Sequence, residues 1–476
     1  MADREPLLYG TCRSSEQGGG GRVFLSRDTK SGQDSRLLSP SSGCFCVFRR
    51  YAIACLALFA VTLSEASAAA QSPEGSDRAI HVVVGPGAQR LEPMAIPDAV
   101  CKGASSSACN AVSEVLRRDM TLSFVFRIIP SRSYLADATL EDLNEISWSD
   151  WSNVGARFLI KAEVTGPAPY TLQMRLYNVT ERKQLVVKGQ DASGVKERGL
   201  RSAVHRFCNG VLTAITGQSG VFDTRIAYAA KVKPGVKAIG MMDMDGANRT
   251  GYIGNDSINM LPSWGFGGLL YTSFLQGKPE IYFGKKRLSN DGGHYRKVAV
   301  SRDGTTMVAS ISYGGQSDLF LMSKSGEVIR NLTNSPADEV SPTFSPDGSK
   351  IAYVSSAAGA PQIYVMSIGG GGGRRVTHSG SYNYAPDWGV NGLIVFAGMD
   401  NGTSDIFTVD EGGNSITRLT QNQGSNKDPS WSPDGRYVAF VSRRAEGSGV
   451  YLMSANGRYQ LLVSKGGGRS NVAWER

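Results

Sequence analysis

The segment Pro342-Thr-Phe-Ser-Pro-Asp-Gly-Ser-Lys-Ile-Ala-Tyr-Val-Ser355 recurs as Pro429-Ser-Trp-Ser-Pro-Asp-Gly-Arg-Tyr-Val-Ala-Phe-Val-Ser442. Fainter copies begin at Pro262, Val298 and Pro386, and a last fragment ends the chain at Asn471-Val-Ala-Trp474. The aligned anchor residues Trp264, Val300, Phe344, Trp388, Trp431 and Trp474 are spaced by 36, 44, 44, 43 and 43 positions. A period near 43 is that of a propeller blade, a unit that cannot bury its faces alone and must stack on neighbours. Within each copy Ser-Pro-Asp-Gly is a tight turn: Pro fixes φ, Asp bonds the local backbone and Gly accepts positive φ. Short β-type runs follow it at 351–354, 362–366 and 375–377, and again at 437–441, 450–453 and 460–463. Three runs plus the anchor strand make the four strands of a blade.

The two ends of the array complete each other. Arg225-Ile-Ala-Tyr228 reads as the second strand of a blade that has no anchor strand before it, and the run ending at Trp474 is an anchor strand with no blade after it. Pairing them closes the ring, removes exposed sheet edges and brings the count to six blades. An open sandwich of similar strands explains neither the period nor the complementary ends.

Upstream, the pattern changes to mixed α and β. A strand is expected at 80–84 and an amphipathic helix at 110–119, followed by a short helix at 147–154. Strands are expected at 158–164, 170–177 and 185–188, with a closing helix at 195–216. Gly217-Gln-Ser-Gly220 is the hinge candidate. The expected fold is thus an α+β N-terminal domain at 80–218, then an all-β six-bladed β-propeller at 219–476 closed by the C-terminal strand.

Arg49-Arg50, the 13-residue apolar run from Tyr51 to Leu63 and the segment Ala66-Ser-Ala-Ala-Ala70 read as a signal peptide at 49–70, cleaved near Ala68 to Ala70. The run is shorter than the ~20 apolar residues of a membrane span. Residues 1–48 are a non-structural extension of the leader, and residues 71–90 are a flexible segment after cleavage. Removing residues 1–70 takes out eight Lys/Arg and six Asp/Glu and leaves a formal charge of +7. That charge is scattered, and together with export it argues against nucleic acid as a partner. Of seven cysteines only Cys101, Cys109 and Cys208 remain. Cys101 and Cys109 can form a local disulfide or stay as buried thiols.

Catalytic signatures are missing from the sequence. Gly-x-Ser-x-Gly, His-x-x-x-His, Cys-x-x-Cys and the phosphate-loop pattern do not occur. Asp347 and Asp434 could be taken for a carboxylate pair, but their turn role accounts for both. Trp264, Trp388, Trp431 and Trp474 could be taken for a ligand cage, yet equivalent positions in every blade are inter-blade core. The glycines at 369–373 sit where a strand-to-strand turn belongs, with no helix after them to cradle a phosphate. No cofactor or metal is expected.

Three segments carry a family resemblance: Gly217-Gln-Ser-Gly-Val-Phe-Asp-Thr-Arg-Ile-Ala-Tyr228, Arg90-Leu-Glu-Pro-Met-Ala-Ile-Pro97 and Trp151-Ser-Asn-Val-Gly155. With the exported leader and the six blades, the chain from about Ile80 onward resembles the TolB family of the Tol-Pal system. The resemblance implies a periplasmic, monomeric, non-catalytic protein that couples partners and supports outer-membrane integrity and constriction in division. It implies that the propeller binds the peptidoglycan-associated lipoprotein Pal and that the segment after the signal peptide binds the inner-membrane protein TolA, with other outer-membrane proteins as further candidates. The TolA segment corresponds to Ile80, His81, Val82, Val83 and Val84. The Pal face corresponds to loops entering the anchor strands, carrying His294, Lys297, Val340, Ser341, Asn383, Tyr384, Asn426 and Lys427. The competing expectation is a secreted propeller enzyme, a peptidase or glycan lyase remnant, with converging acid and base side chains in its central channel.

Overall fold

The computed structural model describes residues 90–135, 142–289, 291–400 and 402–476. The leader, the signal-peptide segment and the strand expected at 80–84 lie outside the described residues.

The first part is a sheet of seven short strands. They are β1 (Glu92–Ala95), β2 (Val100–Lys102), β3 (Phe126–Ile128), β4 (Phe158–Thr165), β5 (Tyr170–Asn178), β6 (Lys183–Leu185) and β7 (Asp191–Val195). Their order is β3-β1-β4-β5-β6, with β2 beside β4 and β7 beside β5 further along the same edges. Helix α1 (Ser106–Leu122) starts where the Ser105 hydroxyl accepts the Ala108 N–H at 3.2 Å. Ala108, Val112, Val115, Leu116 and Met120 recur every three or four residues and are buried. The cap extends the helix one turn beyond the apolar periodicity that marked it in the sequence. A short α2 (Trp148–Asn153) precedes the long β4–β5 hairpin, and α3 (Leu200–Thr216) packs beside α1. The closing helix begins five residues later than expected because β7 and a 3₁₀ turn at Glu197–Gly199 take up the preceding segment. Asp191-Ala-Ser-Gly has no apolar alternation to mark it as strand. Cys101 and Cys109 are joined as a disulfide between β2 and α1, with Cα atoms 6.1 Å apart, and Cys208 is a buried free thiol.

The glycine-rich turn after α3 is fastened, contrary to its expected role as a hinge. Gly217, at φ 75°, caps the helix by donating to the Thr213 carbonyl at 2.9 Å. The Asn209 side chain then accepts the Phe222 N–H at 3.0 Å and donates to Asp223 at 2.8 Å. A Cβ on Gly220 would lie 2.3 Å from Asn209 Oδ1.

The second part is six four-stranded antiparallel sheets. Blades 2 to 6 begin with the inner strands Asn259–Gly265, His294–Val300, Glu339–Phe344, Tyr382–Trp388 and Ser425–Trp431. Blade 1 takes its inner strand, Arg469–Trp474, from the end of the chain. That strand pairs with Arg225–Lys233 in the register Ala473↔Ala227 and Trp474↔Ile226, closing the ring as the complementary ends required.

Ser345, Asp347 and Gly348 show why the repeat turns as it does. The Gly348 N–H donates to the Ser345 carbonyl at 2.9 Å with Gly348 at φ 73°. Asp347 accepts from the Ser345 hydroxyl and the Ser349 N–H, and these bonds hold its carboxyl down to about 2. Ser301 to Gly304 and Ser432 to Gly435 close in the same way, so the degenerate copy at Val298 keeps the turn.

Apolar layers fill the gaps between blades. The core of the α/β part is continuous with the seam of the ring. Phe124 stacks on Tyr459 at 5.7 Å and meets Tyr437 at 5.9 Å, and Tyr437 in turn stacks on Trp474 at 6.3 Å. Blades 6 and 1, which carry the closure, therefore also carry the N-terminal part.

Candidate functional site

The six inner strands share an irregularity. Each ladder skips two residues just before the anchor, between Met260 and Ser263, Tyr295 and Val298, Val340 and Thr343, Tyr384 and Asp387, Lys427 and Ser430, and Ser470 and Ala473. Four of these bulges contain proline, Pro262, Pro342, Pro386 and Pro429, whose missing N–H would interrupt a regular ladder. In five blades the residue three before the anchor adopts positive φ: Leu261 at 53°, Ser341 at 57°, Ala385 at 50°, Asp428 at 52° and Asn471 at 53°. A non-glycine residue held there stores on the order of 1 kcal/mol of strain and persists where the surroundings fix it. The bulges line one central channel with a cavity of about 300 Å³.

A relay of side chains fixes the wall. In blades 4, 5 and 6 the residue before the anchor accepts the anchor N–H of the next blade: Thr343 from Trp388 at 3.4 Å, Asp387 from Trp431 at 2.8 Å and Ser430 from Trp474 at 3.0 Å. Asp387 also accepts from Thr343 and Ser430 and pairs with Arg476. Asp428 accepts the N–H of Asn471, the bulge residue of blade 1, at 2.7 Å. Both channel carboxylates thus hold backbone across a blade boundary. Arg296, Lys297 and Arg476 are the cationic groups on the wall. Burial lowers the Lys297 pKa below the ordinary lysine value, while Asp387 and Asp428 oppose that shift and Arg476 adds to it. Burial raises the Tyr384 phenol to about 12, and its hydroxyl bonds to Ser404 at 3.0 Å. The wall offers partly desolvated positive charge, one aromatic face and a ring of irregular backbone.

The expected face divides on this geometry. Lys297, Val340, Ser341 and Tyr384 line the channel, while His294 and Lys427 are exposed residues of the inner strands outside it. Asn383 and Asn426 are buried inside the wall, so their assignment to an open docking loop is corrected. Strand alternation points the side chain five before the anchor at the preceding blade. There Asn383 donates to Gln362 Oε1 at 2.8 Å, and Asn426 donates to Asp405 at 3.1 Å and accepts from Ser442 at 2.7 Å. Asn259 takes the same position in blade 2 and bonds to the Lys237 carbonyl at 2.8 Å. The sequence reading missed Leu261, Arg296, Asp387, Asp428, Asn471 and Arg476. The proline two residues before the anchor was the available signal, since proline inside a strand pattern marks an edge or a bulge. Ile80, His81, Val82, Val83 and Val84 lie outside the described residues.

A small α/β domain built onto the closure seam of a six-bladed propeller, whose channel is walled by proline bulges, defines a two-part propeller protein. The TolB amino-terminal domain family matches residues 80–185, and the TolB beta propeller domain family matches residues 212–401. The Tol-Pal system protein TolB of Anaeromyxobacter sp. strain K is 36% identical over 307 residues, covering 63% of this chain and 68% of that protein. The TolB of Bordetella parapertussis is 31% identical over 272 residues, covering 55% and 60%. The matched segments thus span about two thirds of these relatives' length. The crystal structure of TolB from Acinetobacter baumannii superimposes with a TM-score of 0.69 at 24% identity, covering 81% of this chain and 96% of that one, which shows the same fold. The chain belongs to the TolB family and is a component of the Tol-Pal system. Among the described residues no helix is long and apolar enough to cross a membrane.

Proposed function

We propose that the chain is a periplasmic, non-catalytic coupling protein whose propeller channel docks Pal and whose segment Ile80, His81, Val82, Val83 and Val84 engages TolA, in support of outer-membrane integrity and constriction at division. The channel wall is the observation that carries this reading. It is a preformed concave surface on a rigid scaffold, with Lys297 placed to meet acidic groups and Tyr384 to meet apolar ones. The two carboxylates on the wall favour binding over chemistry, because Asp387 and Asp428 are engaged by backbone N–H groups of Trp431 and Asn471. Their geometry is that of structural acceptors. The experiment is a pull-down from envelope extract with the exported chain as bait. Pal is expected in the wild-type eluate and depleted with Lys297→Glu. An eluate without Pal sinks the assignment.

A further inference from the structure

Away from the channel, where α1 and α3 meet blade 1, three ionisable side chains converge in the protein interior. Asp119, in the last turn of α1, faces His205 of α3, with His205 Nδ1 2.7 Å from Asp119 Oδ2 and side-chain exposures of 3% and 0% for His205 and Asp119. Asp245, from the turn after the strand Val236–Asp243, enters the same space, and one donor atom from each of the three lies within 4.8 Å of the others.

Two observations separate this cluster from an ordinary buried ion pair. Asp119 Oδ1 and His205 Nε2 are both buried without a hydrogen-bond partner. A buried carboxylate oxygen and a ring nitrogen left in that state are costly, and a full hydrogen-bond network would have used both. Next, Cys208, a buried free thiol, lies one helical turn beyond His205 on the same face of α3.

We infer that Asp119, His205 and Asp245 form a site for a divalent transition-metal ion of the zinc class. Imidazole and carboxylate ligands with a thiol at their edge suit zinc, whereas calcium and magnesium prefer oxygen donors alone. Asp245 is held by Arg201 and by the Ala247 N–H, which donates to its Oδ1 at 3.0 Å, and Arg201 also lies 3.7 Å from Asp243, so the ion would share the Asp245 oxygens with these groups. Because Asp119 and His205 belong to the α/β part and Asp245 to the propeller, the ion fastens one to the other.

The test uses the full chain after removal of metal with EDTA and alkylation of accessible thiols, with zinc chloride as the probe. Zinc is expected to raise the wild-type melting temperature by several degrees and to bind in one equivalent more than it does to His205→Gln. His205→Gln and Asp245→Asn should each abolish the rise. A wild-type melt unchanged by zinc, or a rise retained in both variants, overturns the site. Should the variants fail to fold, cobalt(II) added to the wild-type chain decides: visible absorption of low-coordinate cobalt supports the site, and the spectrum of the hydrated ion alone refutes it.

Discussion

Trp474 Nε1 donates to Thr224 Oγ1 at 2.8 Å across 250 residues of sequence. The bond joins the end of the propeller to the segment that leaves the α/β part, within the core that also holds Phe124 and Tyr437. Ring closure and domain attachment therefore stand on the same side chains. Trp474 is 1% exposed, and a cavity of that size costs ~3–5 kcal/mol. Trp474→Ala should lose stability in that range in urea unfolding, and deletion of Ser470 to Arg476 should lose more. A truncated chain melting at the parent temperature would contradict six-blade closure.

The shared core predicts cooperative unfolding. Wild type should show one calorimetric transition, since no boundary without packing separates the two parts. Phe124→Ala removes the ring that touches Tyr437 and Tyr459 and should cost about 3 kcal/mol. It should also split the transition in two.

Asp387 links blades 4, 5 and 6 and the C-terminal residue through Thr343, Trp431, Ser430 and Arg476. Asp387→Ala should cost ~1–3 kcal/mol by leaving buried donors unsatisfied, with Asp387→Asn intermediate. Urea denaturation of the three proteins gives the order.

The neighbours Asn426 and Lys427 should behave oppositely. Asn426→Ala breaks a buried network and should cost ~1–3 kcal/mol. Lys427→Ala removes an exposed side chain and should change stability by less than about 0.5 kcal/mol. Equal losses would contradict the burial assigned to the two positions.

This pair also shows what the sequence made legible. The period of the anchors and the complementary ends at Arg225 and Trp474 specify blade number and closure, because both follow from turn chemistry and strand length. The channel wall was harder to read. A bulge shifts which side chains face the lumen, and at five blades its left-handed residue is Leu, Ser, Ala, Asp or Asn, with no glycine to mark it. The resemblance put Asn383 and Asn426 in loops entering the anchor strands, but they are strand residues that stitch neighbouring blades together. In the α/β part, β4 and β5 alternate or run apolar for eight and nine residues and were plain. Strands of three or four residues such as β1, β2 and β3 carry too few positions for a period to show.

The central claim is that the channel wall is the docking surface for Pal, and calorimetric titration of the full chain with soluble Pal tests it most directly. Wild type is expected to bind with one-to-one stoichiometry, and Lys297→Glu with Tyr384→Ala should weaken binding at least tenfold, about 1.4 kcal/mol. His294→Ala, outside the channel, should bind as wild type does. Unchanged affinity in the channel double variant, with its fold intact by circular dichroism, would contradict the assignment.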